Sequence, residues 1–149
     1  MSLTIRPAGT EDEPAWRALF SAYQRFYRAS VPEKIVANTW QRILDPDSDV
    51  SALVAEYDGA LVGLANYLFH DSTWSDRPTC YLEDLYVDRA ARGTGAGRKL
   101  IEGVETAARQ QNAFRLYWHT QQFNSAARSL YDTITPPSSF IVYRKPLSA

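Results

Sequence analysis

Between residues 82 and 111 a strand, a glycine-rich loop and a helix follow one another, and no other stretch constrains the fold as tightly. "LEDLYV" is an apolar strand with two acids inside it, and "RGTGAG" spans residues 92–97. From about Ala96 to Gln111, Leu100, Ile101, Val104, Ala107 and Ala108 recur at helical spacing as one apolar stripe. A glycine loop between a strand and a helix presents backbone N–H groups at the positive end of the helix dipole, which suits an anion. Gly93, Gly95 and Gly97 alternate with small residues, so a ligand can approach the main chain closely. A glycine-rich turn with no ligand is the plain alternative. The loop's place between strand and helix argues against it.

Three kinds of phosphate loop compete for this pattern. A P-loop needs glycine, four residues, then Gly-Lys-Ser/Thr. Counting from Gly93 puts Arg98, Lys99 and Leu100 there, so the second glycine and the hydroxyl are missing. A dinucleotide fingerprint, Gly-x-Gly-x-x-Gly, belongs after the first strand of a βαβ unit. Here its sixth position is Arg98, and the loop lies past mid-chain behind a hairpin. The third pattern, Gln/Arg-x-x-Gly-x-Gly/Ala, is met by Arg92, Gly95 and Gly97.

The flanking sequence supplies the other elements. "LTIRPA" is a short strand ended by Pro7, and a helix follows through Tyr27. Thr10 and Glu13 have capping-box spacing, and Pro14 sits where a missing N–H does least harm. Trp16, Leu19, Phe20, Tyr23, Phe26 and Tyr27 recur at helical spacing, and "PEKIVANTWQRILD" is a second helix between Pro32 and Pro46. Asp58-Gly59 joins two apolar runs as a tight hairpin turn. "PTCYLEDLYVD" is the next strand, preceded by a polar excursion, "HDSTWSDRP". "AFRLYWHT" is a strand, Asn124 to Ile134 a short helix, and "SFIVYRK" a last strand. The order β-α-α-β-β-β-α-β-α-β implies an α/β chain with a central mixed sheet and helices on both faces. A single domain over residues 1–149 is expected.

Glu83 and Asp84 stand side by side in the strand before the loop. Adjacent strand residues point to opposite faces, and buried acids are costly unless something pairs with them. A salt bridge to an arginine would account for them structurally. Amine recognition would account for them functionally. An alkyl ammonium has a pKa of about 10.4, so freeing the amine at neutral pH costs ~4–5 kcal/mol. A nearby carboxylate attracts the cation and takes its proton, directly or through water. Glu83 is the first choice for base or relay, and Asp84 for substrate anchor. His70 and His119 are alternative bases, although a lone histidine is more often structural.

The loop, its strand and "NSAARSLY" together resemble the GNAT-type N-acetyltransferase superfamily over roughly residues 50 to 135. The acidic strand looks like that of the diamine and polyamine acetyltransferase branch. The resemblance implies the acyl-CoA N-acyltransferase fold, with acetyl-CoA as cofactor and a small-molecule amine (a diamine, polyamine or amino acid) as acceptor. It implies direct attack in a ternary complex. The pyrophosphate would be held by Arg92, Gly93, Thr94, Gly95, Ala96, Gly97 and Arg98. Leu85, Tyr86 and Val87 would line the pantetheine arm, with the Leu85 N–H polarising the acetyl carbonyl. Asn124 would contact the cofactor, and Tyr131, two helical turns on, would protonate the departing thiolate. The acceptor would enter near the first two helices, where Tyr23, Phe26, Tyr27, His70 and Trp74 are candidates, the aromatic faces suiting an alkyl ammonium. Core and loop packing is the alternative for each of these singly. An acetyltransferase of protein lysines or N-termini, and an inert CoA-binding sensor, are the alternative functions. One departure stands out. The family runs from the tyrosine into a Gly-Phe and a closing hairpin, whereas this chain reads "DTITPPSSFIVYRK". Its final strands are therefore curtailed, or a second subunit completes the edge as a homodimer.

Bulk properties agree. The formal net charge is -1 over 149 residues, which gives no footprint for nucleic acid. A single cysteine, Cys80, allows no disulfide framework, and with two histidines a metal site is not expected. Cys80 precedes the acidic pair, so no covalent enzyme intermediate is expected. No apolar run suits a signal peptide or a bilayer span, so a cytoplasmic location and no membrane partner are expected.

Overall fold

A computed structural model describes residues 2–147 and divides them into two compact units that meet between Trp118 and His119. The first unit holds β1 (Leu3–Pro7), α1 (Glu13–Phe26), α2 (Glu33–Leu44), β2 (Val50–Tyr57), β3 (Ala60–Ser72), β4 (Ser75–Val87), α3 (Ala96–Gln110) and β5 (Arg115–Tyr117). The second holds α4 (Ser125–Tyr131). The five strands form one sheet in the order β1-β2-β3-β4-β5. The first three pairings are antiparallel and the last, β4 with β5, is parallel. This is the mixed sheet expected from the sequence.

Strand alternation sorts side chains onto two helical layers. Ala52, Val54 and Leu64 pack with Trp16, Leu19 and Phe20 of α1 and Val36 and Trp40 of α2. The intervening Leu53, with Ile5 of β1, lies against Gly103 of α3. Leu100, Ile101, Val104 and Ala108 are the buried stripe of α3, while Ala107 is only half-buried. On the α1 side the Trp16 ring lies 5.1 Å from Phe20 and 5.2 Å from Trp40, centroid to centroid. Such pairs add about 0.5–1.5 kcal/mol each beyond area burial. Asp58 and Gly59 both take positive φ, 51° and 81°, as the tight β2–β3 turn requires.

Three local expectations are corrected. The reciprocal side-chain bond ahead of α1 is made by Asp12 to Gly9 and closes the short turn before the helix; it is not made by Thr10 with Glu13. Thr10 lies inside a short 3-10 turn, and the Gly9 N–H donates to Asp12 Oδ2 at 2.7 Å. Arg6 of β1 fixes that carboxylate with two hydrogen bonds, 2.7 and 3.0 Å, and also donates to Glu56. The guanidinium thus selects Asp12 as the acid that closes the turn. Second, "HDSTWSDRP" is no excursion, because β3 and β4 continue through it as one hairpin, with Ser72 opposite Ser75. Third, residues 138–147 carry no strand, and α4 ends at Tyr131 rather than Ile134. An alternating pattern gives strand propensity, but a strand needs a hydrogen-bonding neighbour. The segment's Phe140, Ile141 and Tyr143 are exposed.

The Arg6 contacts and the Gly9 N–H hold the Asp12 carboxyl below its ordinary 3.8. Its contribution is therefore present above that value and lost as pH falls through the lower folded value. Asp12→Asn should cost about 1–3 kcal/mol at neutral pH. Urea melts at pH 7 and near pH 2 test this, and the difference from the parent should shrink toward zero in acid.

Candidate active site

Strand β4 organises the site. Its neighbour β5 pairs with it only at Thr79, Cys80 and Tyr81. On that side residues 82–87 continue without a ladder partner among the described residues. On the other side the pairing with β3 runs on to Val87, but the register shifts: Tyr67 faces Leu82 and Asn66 faces Asp84. Glu83 is thus the extra residue of a β-bulge. The opposite-face rule for adjacent acids does not apply across a bulge.

Asp84 is hydrogen-bonded by an amide, Asn66, and a phenol, Tyr23. The Trp16 indole N–H donates to Asn66 Oδ1 at 3.0 Å, and the Asn66 amide donates to Asp84 Oδ2 at 3.0 Å. The Tyr23 hydroxyl also hydrogen-bonds the Asp84 carboxylate, and it lies 3.5 Å from the Glu83 carbonyl oxygen. Tyr23 meets Tyr27 at 5.0 Å and Tyr86 at 6.2 Å, both edge-on. Burial pushes the Asp84 carboxyl up to about 6, the Asn66 and Tyr23 hydrogen bonds pull it down, and the Glu83 charge pushes it up. Glu83 itself is exposed. Asn66 was not singled out from the sequence. Its signal was a polar residue at the centre of the apolar run "GLANYLF".

Other candidates lie elsewhere. His70 is four residues along β3 from Asn66, roughly 13 Å at the strand rise. Its Nε2 is 2.9 Å from the Tyr117 hydroxyl and its Nδ1 2.8 Å from the Asp71 carbonyl. Trp74 stands at the β3–β4 hairpin tip, 90% exposed and ten residues from Asp84. Neither joins the acidic pair. Phe26 is half-exposed and lies 5.1 Å from Tyr27. The buried Cys80 thiol is pushed up to about 12 by burial and stays protonated.

The loop after β4 begins with a 3-10 turn, Arg89–Ala91, whose Ala90 N–H donates to the capping Asp88 carboxylate. Thr94 is tied back by its hydroxyl to the Ala91 carbonyl at 2.6 Å. Gly93 and Gly95 take φ of 90° and 86°, and a Cβ at either would meet nothing within 4 Å. The loop backbone therefore faces open space. Gly95 is the N-cap of α3, and the first helical bond runs from the Lys99 N–H to its carbonyl. The amides of the helix's first turn precede that bond and need partners outside the helix; the Ala96 N–H donates to the Thr94 hydroxyl at 3.4 Å. Arg92, Arg98 and Lys99 are exposed around them. Positive side chains, an open glycine backbone and a helix N-terminus together suit a diphosphate.

In the second unit Asn124 caps α4, its side chain accepting from the Ala127 N–H at 3.3 Å. Tyr131 is the last residue of that helix and is half-buried. His119 opens this unit and is exposed.

Residues 16–133 match the model of the acetyltransferase (GNAT) family. The chain belongs to that family. It is 32% identical to the D-amino-acid N-acetyltransferase HPA3 of Saccharomyces cerevisiae, covering 96% of this chain and 90% of that one. It is 36% identical over 74 residues to the thialysine N-epsilon-acetyltransferase of Bos taurus, half of this chain and 43% of that one. Among solved structures, the aminoglycoside N-acetyltransferase AAC(6')-Iy in complex with CoA superposes with a TM-score of 0.81, covering 98% of this chain and 96% of that one, at 20% identity. That last likeness is one of fold. The protein is an acetyl-CoA-dependent N-acetyltransferase. Its open, cation-rimmed glycine loop fits the diphosphate of that cofactor. No helix among the described residues is long and apolar enough to cross a membrane.

The raised Asp84 carboxyl has a stability consequence opposite in sign to that of Asp12. The folded protein holds this proton more tightly than the unfolded chain, whose value is 3.8 against about 6. The resulting stability is full below 3.8 and is lost as pH rises through about 6. Asp84→Asn should therefore raise stability at pH 8, by roughly 1–3 kcal/mol, and change it little at pH 4. Thermal melts at the two pH values decide it.

Proposed function

We propose that the protein acetylates a primary amine of a small molecule by direct attack in a ternary complex. The acceptor class is a diamine, a polyamine or an amino acid. The carrying observation is Asp84, a carboxylate hydrogen-bonded by Tyr23, whose ring in turn meets those of Tyr27 and Tyr86. Aromatic faces and a desolvated carboxylate are the two features that recognise an alkyl ammonium. The relatives named for D-amino acids and thialysine support an acceptor of that size.

In this reading Asp84 draws the ammonium in, and the proton leaves through Asp84 or through Glu83 and water. The exposure of Glu83 suits the relay role. A carboxylate with a pKa of about 6 is ionised at neutral pH and can accept a proton. Acetyl-CoA supplies an acetyl group already activated as a thioester. The β4 backbone of Leu85, Tyr86 and Val87, past the end of the β5 ladder, is assigned to the pantetheine arm, and the Leu85 N–H to the oxygen that gains charge. The loop from Arg92 to Arg98 is assigned to the diphosphate, and Asn124 to a cofactor contact. Tyr131 is assigned the proton for the thiolate, since a phenol pKa of about 10 lies close to that of a thiol. Residues 1–149 are read as one catalytic domain, which the family match through both units supports. A cytoplasmic location and a homodimer belong to the same reading.

Free-thiol release with acetyl-CoA and a panel of putrescine, spermidine, D-phenylalanine, thialysine and a lysine peptide tests the acceptor class. The small amines should turn over at least about tenfold faster than the peptide. Faster peptide turnover would reverse the assignment. Tyr131→Phe should lower kcat by about 100-fold with little change in acetyl-CoA affinity. Full turnover in that variant would remove Tyr131 from the acid role. Gly95→Val should weaken acetyl-CoA binding by at least about tenfold, through a side chain forced to positive φ over the loop. Isothermal titration reads this directly.

A further inference from the structure

Asn66 is a buried amide between a group that can only donate and a group that accepts. The Trp16 indole nitrogen carries one hydrogen and no acceptor lone pair. It lies 3.0 Å from the Asn66 side chain, and both residues are buried. The amide oxygen must therefore face Trp16. An amide turned the other way would set N–H against N–H in a dry core. With its oxygen committed, Asn66 presents only N–H to Asp84. Trp16 is itself immobilised between Phe20 and Trp40 and has no exposed surface. The orientation of the Asp84 partner is thus set by the aromatic core of α1 and α2.

We propose that Asn66, locked by Trp16, is the positioning residue that holds the Asp84 carboxylate in place for the incoming amine. This rests on the reading of Asp84 as the carboxylate that meets the acceptor. An N–H donor favours the ionised acid, whereas burial and the Glu83 charge favour the neutral one. Without the donor, a larger share of Asp84 would be protonated at neutral pH, and that share could take no proton from the amine. The amide also ties the carboxylate to β3 on the far side of the bulge at Glu83. The titratable groups that face Asp84 are Glu83 on its own strand and Tyr23 on α1; β3 contributes the uncharged Asn66.

The test follows the Asp84 carboxyl directly. Protein carrying 13Cγ-aspartate is titrated by NMR in its parent, Asn66→Leu and Trp16→Phe forms, with the resonance assigned by its loss in Asp84→Asn. Removing Asn66, or freeing it to turn by removing the indole N–H, should raise the Asp84 midpoint by about one pH unit, roughly tenfold in proton affinity. The acid limb of kcat/KM for spermidine should move by the same amount, while the KM for acetyl-CoA stays put. Trp16→Phe keeps a ring in the core and serves if Asn66→Leu does not fold. A midpoint unmoved in the folded variants overturns the proposal, even where stability or rate falls. The outcome separates from the underlying reading. If Asp84→Asn retains the acid limb, Asp84 is not the proton acceptor, whatever the Asn66 variants do.

Discussion

Strand β4 is hydrogen-bonded on both sides only as far as Tyr81. Beyond that point one edge of its backbone has no strand beside it among the described residues. Buried or half-buried main-chain groups need partners. A run of them left open at the end of a parallel pairing is a place for an extended ligand. The glycine loop and α3 begin where that run ends, so an open loop backbone and an open strand edge follow one another along the chain. Both features rest on backbone, and side-chain identity enters mainly through the glycines that leave the loop uncovered.

The same strand carries the bulge that separates the two acids. One extra residue at Glu83 breaks the alternation, so the pair is not simply one acid per face. Asp84 ends under α1 in contact with Asn66 and Tyr23, and Glu83 ends in solvent. Two like residues thereby acquire different chemistry. Burial makes one a reluctant anion held by donors, and the other stands in solvent. The aromatic content read from the sequence divides in a similar way. Trp16, Phe20 and Trp40 are core, whereas Tyr23, Tyr27 and Tyr86 crowd the Asp84 side of β4.

Much of the fold was legible beforehand. The tight Asp58-Gly59 turn, the two early helices, the stripe on α3 and the mixed sheet all arise from local patterns of period two or 3.6. The turn closure by Asp12 was not, because a contact with Arg6 of another element chose it over Thr10. The last strand was expected from an alternating segment, and pattern alone cannot supply the neighbour that makes a strand. His70 and Trp74 were candidates for the acceptor side by residue type, and the structure places them farther along β3 and at the hairpin tip.

The sequence by itself determined the family, the glycine loop between β4 and α3 and the presence of a carboxylate pair, because these depend on residue types at short, fixed spacings. Tertiary structure alone decided which acid is the less exposed, which residue closes the turn before α1, and that Asn66 links the aromatic core to Asp84. Those outcomes depend on a bulge, on a guanidinium and on an indole N–H brought close by packing, between residues up to 50 positions apart in the chain. No local pattern encodes a distance of that kind.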